Sequence, residues 1–307
     1  MEEFLQQLVN GLSYGAIIAL IAVGYTMVYG VLRLINFAHG DVYMLGAMFA
    51  FYAATNWFGL SAEPTWPKFF LILLVAMTLC GIVGFLIERL AYRPLRDAPR
   101  INSLITAIGV SLFIQYGGQQ TAVFGPNPRS FPQIIPNISG ELFNIHGVTV
   151  SKVDALILVV TVVLMSALTY LVMFTRTGLA LRAVSFRFDT AALMGIPINR
   201  IISFTFVLGS VLAAAAGVLV AIKYPKVDPL MGLMPGVKAF VAAVLGGIGN
   251  IPGAVCGGLL LGLTEVLVAG YLPKGSQYKD GVAFVILIAV LLVKPSGLLG
   301  KNTIEKV

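Results

Sequence analysis

Charged residues are scarce in this sequence. Only 11% of its 307 residues are Asp, Glu, Lys or Arg, whereas 58% are apolar and the mean hydropathy is +0.94. A soluble domain carries about a quarter charged residues because it must wet its surface, and this chain cannot do so. The composition therefore excludes a soluble enzyme, a disordered chain and a nucleic-acid-binding protein. It predicts an integral membrane protein.

Cysteine and histidine are also rare, which excludes several kinds of site. The two cysteines, Cys80 and Cys256, lie inside apolar runs and lack the spacing of a disulfide framework or a metal site. Two histidines are too few for most hydrolytic sites, and neither HExxH nor GxSxG occurs. We therefore expect no catalytic residue, no metal and no cofactor in this chain, and we expect it not to be an enzyme.

Long apolar runs are what the sequence does contain. A transmembrane helix needs roughly 20 apolar residues, and most of the runs reach that length without the alternation typical of a β-barrel strand. The run at 237–248 is short and ends at Gly-Asn-Ile-Pro, which predicts a broken or partial span. We predict an all-α polytopic fold, one transmembrane domain over 1–307, with eight to nine membrane helices. The apolar runs are 8–32, 42–60, 69–91, 101–124, 153–174, 201–222, 237–248, 251–272 and 281–293.

The arginines indicate the orientation of these spans. Short connections rich in Arg stay in the cytoplasm, and the segments 92–100 and 176–200 are of this kind. The segment 125–152 contains four prolines but only one Arg and one Lys. We therefore expect 92–100 and 176–200 to be cytoplasmic and 125–152 to be external.

One polar cluster interrupts the first two apolar runs. Asn36, His39 and Asp41 would be costly in lipid. A broken helix at membrane depth is tolerated where it lines a water-filled cavity or is buried in protein, so the cluster is a candidate for the translocation pathway. A tight turn at the cytoplasmic surface, in which His39 pairs with Asp41, explains the same residues. The sequence leaves both interpretations open.

A second cluster is rich in glycine. Gly249, Gly253 and Gly257, like Gly258 and Gly262, are spaced four residues apart, a pattern that lets membrane helices approach closely. The break in the chain at Gly249 and Asn250 is a further candidate for the pathway.

Two acidic residues lie near the ends of apolar runs. Glu265 has no partner nearby in the sequence, so it is a candidate ion or pathway site, with interhelical hydrogen bonding as the alternative. Glu88 stands beside Arg89, and we expect the two to form a solvated pair at the cytoplasmic boundary.

Three motifs carry a resemblance to a known family. NFAHGD within 10–47, LGGIGNIPGA within 237–265 and KPSGLLG at 294–300 resemble the LivH-type permease subunits of bacterial branched-chain amino-acid ABC importers. The resemblance covers essentially the whole chain. It implies an inner-membrane permease for Leu, Ile and Val that is driven by ATP hydrolysis in other subunits. Permeases of the same family for other amino acids, urea or amides, and an ion-coupled secondary transporter, remain alternatives.

The resemblance also implies partners. They are a second related permease, two cytoplasmic ATPase subunits and a periplasmic amino-acid-binding protein, in addition to the lipid bilayer. The segment 176–206 is similar to the part of the family that docks in a groove of the ATPase. Candidate coupling residues in it are Gly178, Leu181, Arg182, Val184, Phe188, Asp189, Ala192 and Gly195.

The residues of 178–195 support the same interpretation independently. On one continuous helix, Leu181, Val184 and Phe188 would form an apolar stripe, which in the cytoplasm requires a partner. An amphipathic segment lying on the membrane surface is the alternative.

Overall fold

The computed structural model describes residues 2–57, 63–96, 98–145 and 147–300, and in these ranges the chain is mainly helical. A π-helical turn at Ala53–Trp57 continues the second helix, and another at Glu88–Tyr92 continues the third helix into a short 3-10 turn at Arg93–Leu95. The helices are α1 Glu2–Leu32, α2 His39–Tyr52, α3 Trp66–Ile87, α4 Arg100–Gly118, α5 Lys152–Phe174, α6 Arg176–Phe186, α7 Phe188–Leu193, α8 Ile198–Lys223, α9 Leu233–Gly246, α10 Ile251–Tyr271 and α11 Gly275–Val293.

Short strands occur only in the connections of this described part. β1 (Arg129–Ser130) pairs antiparallel with β4 (Lys226–Val227), which ties the long connection between α4 and α5 to the end of α8. β2 (Glu141–Ile145) and β3 (Val148–Ser151) form an antiparallel hairpin directly before α5.

The predicted all-helical polytopic fold is confirmed. Seven helical segments of the described residues are long and apolar enough to cross a membrane, and α9 is a shorter apolar helix. Every predicted run contains a helix, although α4 ends at Gly118, before the end of the run 101–124. Residues 58–60 of the second run lie outside the described residues. The short run at 237–248 is confirmed as a helix of 14 residues. The second run forms α2, which has 14 residues and is continued by the π-helical turn to Trp57.

The centre of the bundle is formed by α1 and α8. Their apolar segments are 83% and 72% buried within the chain, whereas that of α11 is 6% buried and lies at the periphery. Small residues allow this close packing, since a Cβ on Gly46 of α2 would overlap the backbone of Ala214 in α8. α2 is therefore fixed to the centre of the bundle by backbone contact.

The glycines of α10 make two such contacts on different sides. A Cβ on Gly253 or Gly257 would overlap backbone of α9, and one on Gly258 or Gly262 would overlap backbone of α1. The predicted packing role of these four glycines is confirmed. Gly249 differs because it lies in the turn before α10 with φ of +90°.

The expectation for Glu88 is wrong. Its side chain is buried, accepts a hydrogen bond from Ser203 of α8 at 2.5 Å, and is paired with Arg96. Arg89, by contrast, is exposed. The π-helical turn after α3 carries Glu88 against α8, where it joins two segments instead of facing water.

Candidate functional site

The start of α2 lies inside the protein. Asn36, His39 and Asp41 are 3%, 1% and 2% exposed. The His39 ring packs edge-on against Tyr25 of α1 at 4.6 Å between ring centroids, and Asn36 accepts a hydrogen bond from the Tyr92 hydroxyl at 3.0 Å. Their burial favours the internal interpretation of this cluster over a solvated surface turn.

Two short helices begin side by side at this point. Gly40 in the first turn of α2 has backbone contact with Gly232 and Gly236 at the start of α9, and a Cβ on any of the three would overlap the facing chain. Both helices thus begin within the bundle, as expected of broken spans that line a cavity.

A cavity of about 220 Å³ lies between the starts of these two helices and α4. Most of its wall is apolar, and several wall side chains are partly exposed, so that it opens on one side of the chain. Its polar end is formed by Asp41, Ser111 and Gln115. The apolar wall includes Phe37, Ile108, Leu112, Leu233, Val237 and Phe240.

The Asp41 carboxylate is held from one side only. Gln115 Nε2 donates to Asp41 Oδ1 at 2.8 Å and to Ser111 Oγ at 3.0 Å. Ser111, in the same helix as Gln115, also interacts with the carboxylate. Asp41 Oδ2 is buried and has no hydrogen-bond partner among the described residues. Asp41 also lies in the first turn of α2, where the helix dipole favours a negative charge. The cavity therefore combines an oriented carboxylate with apolar walls.

Gly249 and Asn250 are not brought to this cavity. Asn250 Oδ1 accepts from Gly253 N at 3.2 Å, which caps α10, and its Nδ2 donates to the Leu299 carbonyl at 2.7 Å. The segment around Leu299 also donates two backbone hydrogen bonds to the last carbonyls of α9. The geometry gives Asn250 a structural role in joining α9, α10 and the chain after α11.

Glu265 forms an interhelical hydrogen bond and ion pair, which is the alternative that the sequence offered for it. Lys238 Nζ lies 2.6 Å from Glu265 Oε2 and 2.6 Å from Asp280 Oδ1. Lys238 and Glu265 are both buried, while Asp280 is 37% exposed at its side chain. These three residues, the α9–α11 charge cluster, come from different helices, so that a short window of sequence cannot show the pairing. None of them lines the cavity.

The segment 176–200 forms two helices instead of one. α6 begins at a cap in which Thr175 Oγ1 accepts from Gly178 N at 3.1 Å, and it ends before Arg187, whose backbone is extended. The predicted single stripe open to a partner is wrong, because Leu181 and Val184 are 6% and 0% exposed. They are buried where α6 packs on α1, α5 and α8, and Phe188 is half-buried.

Other apolar side chains of the segment are open. Leu179, Phe186, Leu193 and Met194 are between 62% and 87% exposed, and we call these four the α6–α7 apolar surface. A cleft of about 590 Å³ beside it, between the end of α1 and α6–α7, contains Arg33, Arg187 and Asp189. Of the remaining predicted coupling residues, Arg182, Ala192 and Gly195 are exposed and Gly178 is buried against the carbonyl groups of Leu171 and Val172.

Comparison with known proteins gives the family. Residues 7–291 match the family described as "Branched-chain amino acid transport system / permease component". One relative is BraD of Pseudomonas aeruginosa, the permease protein of a high-affinity branched-chain amino acid transport system. Its sequence is 46% identical to this chain, and the alignment covers 99% of this chain and 98% of BraD. The corresponding LivH of Escherichia coli K12 is 42% identical over the same shares, and a probable LivH of Methanocaldococcus jannaschii is 27% identical over 94% and 90%. The chain is a multi-pass membrane protein and belongs to the permease-component family of branched-chain amino acid ABC transport systems.

Proposed function

We propose that this chain forms one half of the transmembrane pathway of an ATP-driven importer for leucine, isoleucine and valine in the inner membrane. The observation that carries the proposal is the match of residues 7–291 to the permease family. A mostly apolar cavity with one carboxylate suits a zwitterion with an aliphatic side chain. The partners are a second related permease, two cytoplasmic ATPase subunits and a periplasmic binding protein.

The α6–α7 apolar surface is the proposed docking site for the ATPase. The arginines around it favour a cytoplasmic position. Four exposed apolar side chains in this segment form the kind of patch that protein interfaces bury. Arg182 and Arg187 lie in the same segment and favour an acidic rim on the partner.

The anchoring of this surface explains how movement would reach the pathway. Leu181 and Val184 fix α6 to the transmembrane helices α1, α5 and α8. α8 in turn holds α2 by backbone contact at Gly46 and Ala214. Because packed helices shift as rigid bodies, a displacement of α6 is transmitted to the helix that carries Asp41.

Replacing Phe186 and Leu193 together by Ala tests this docking site. Phe186 and Leu193 are 79% and 87% exposed, so truncation leaves the fold intact but removes two contacts at the proposed interface. At about 1–2 kcal/mol for each such contact, the affinity for the ATPase falls roughly 30- to 1,000-fold. Co-purification of tagged permease with the ATPase from membranes measures this loss.

A matched control separates docking from membrane insertion. Phe113 and Val285, which are 79% and 63% exposed on membrane helices, are replaced together by Ala, and we expect normal co-purification. If F186A/L193A is present in the membrane and retains the ATPase as the wild type does, the docking site is wrong.

A further inference from the structure

We infer that the carboxylate of Asp41 is the binding site for the α-ammonium group of the amino acid in the cavity. This inference rests on the proposed function, since it identifies which group of the substrate meets which atom of the chain. The residues that carry it are Asp41, Gln115 and the apolar wall beside them.

Asp41 differs from the other buried acidic residues of the described chain because it is not paired with a basic side chain. Glu88, Asp154 and Glu265 each form an ion pair, with Arg96, Lys223 and Lys238 respectively. Asp41 takes part in none of the ion pairs that occur within the described residues, 2–57, 63–96, 98–145 and 147–300. Buried carboxylates are normally paired because an unpaired charge is costly. Asp41 is therefore ready to take a cation that comes from outside the chain.

The geometry leaves one oxygen for that cation. Gln115 Nε2 holds Oδ1 at 2.8 Å and thereby fixes the plane of the carboxylate. Ser111, in the same helix as Gln115, also interacts with the carboxylate. Within the described residues Oδ2 is buried and has no hydrogen-bond partner, while Asp41 itself lines the cavity. A primary ammonium has three donors and binds an oriented carboxylate oxygen through a charge-assisted hydrogen bond.

The remaining wall selects the rest of the ligand. Val237 and Phe240 face the same cavity as Asp41, so an aliphatic side chain is buried when its ammonium group reaches Oδ2. Phe37, Leu112 and Leu233 are 36%, 45% and 53% exposed, which leaves the cavity open between α4 and α9. The ligand class is thus a primary ammonium compound with a small aliphatic side chain.

A purely structural role for Asp41 is the rival explanation, because an acid in the first turn stabilises its helix. In the binding role the negative charge of Asp41 attracts a cation in the cavity, whereas in the structural role it does not. We therefore use Leu112→Cys as a reporter in the assembled transporter, with exposed Cys256 replaced by Ser. The probes are a cationic methanethiosulfonate ethylammonium reagent and its anionic ethylsulfonate counterpart.

Each labelling rate is divided by the rate of the same reagent with a free thiol in solution. On this scale the cationic reagent is expected to label the reporter faster, and D41N should lower the ratio of the two rates on the order of tenfold. Asp41→Glu keeps the charge and should keep the preference. Glu141→Gln, which removes an exposed carboxylate outside the cavity, should leave the ratio unchanged. D41N should also lower ATP-driven leucine uptake about 10- to 100-fold, the range for one charge-assisted hydrogen bond, in complexes that assemble in normal amount.

Equal rates for the two reagents after this correction, in the protein with Asp41 intact, overturn the inference, whether or not D41N assembles. Leucine uptake by assembled D41N within twofold of the wild-type rate overturns it as well. Failure of the wild-type complex to take up leucine contradicts the proposed function instead. In that case the ratio of the labelling rates still tests whether Asp41 attracts a cation in the cavity.

Discussion

Lys238→Met is expected to destabilise the folded protein by about 3–5 kcal/mol, the usual cost of removing one partner of a buried ion pair. The Lys238 side chain is 6% exposed and that of Glu265 is 2% exposed. Removal of the Lys238 ammonium group leaves Glu265 charged and unpaired between α9, α10 and α11. Asp280 loses its basic partner as well. Thermal unfolding of the detergent-solubilised protein, followed by size-exclusion chromatography after heating, measures the loss.

The double variant K238M/E265M is the control. Replacing both members of a buried pair by apolar residues of similar volume is often neutral or stabilising, and Asp280 is exposed enough to keep part of its hydration. The double variant should therefore recover most of the stability lost by K238M. A single variant that melts like the wild type, or a double variant that melts no better than the single one, contradicts the role given to this charge cluster.

Gly262→Leu should prevent normal packing of α10 on α1, at a cost of about 3 kcal/mol or more. A Cβ at this position meets backbone atoms of Gly15, which cannot rotate away as a side chain could. The helices must then separate along the most extensive contact of the bundle. The amount of monodisperse protein extracted from the membrane measures the effect.

Gly281→Leu provides the matched control. It introduces the same side chain into a membrane helix, α11, at a position where an added Cβ meets no atom of the described residues within 4 Å. This variant should be extracted in wild-type amount. If the G262L and G281L variants give the same yield, close approach of α1 and α10 is not what the glycines provide.

The helices could be predicted from the sequence more completely than their contacts. A membrane helix satisfies its backbone within itself, so the run 201–222 is sufficient to predict α8. The break between α6 and α7 was missed because Arg187 is an ordinary helix former. The burial of Leu181 and Val184 was missed for a different reason, since an apolar stripe does not show whether its partner belongs to the same chain.

The candidate site was predicted only in part. Asp41 was found because polar residues in a membrane segment are costly. Asn36 and His39 gave the same signal and are buried, but they are not among the residues that line the cavity. Ser111 and Gln115 carried the same signal, as polar residues four apart in the run 101–124, but their closeness to Asp41 depends on how α4 packs.

Lys238 gave a similar signal that could have been used. It is the one basic residue within the run 237–248, and a lone charge in an apolar helix predicts a buried counter-charge. The identity of that partner does not follow from the sequence, because Glu265 is on another helix.

Transport by the complete complex in proteoliposomes tests the central claim most directly. The purified permease pair and its ATPase subunits are reconstituted, the periplasmic binding protein is added on the side that faces it, and accumulation of radiolabelled leucine is followed. The account predicts accumulation that requires ATP, the ATPase subunits and the binding protein, and that is unchanged when proton and sodium gradients are abolished. Leucine uptake driven by an ion gradient without the ATPase subunits, or no uptake by an intact complex supplied with ATP, would contradict it.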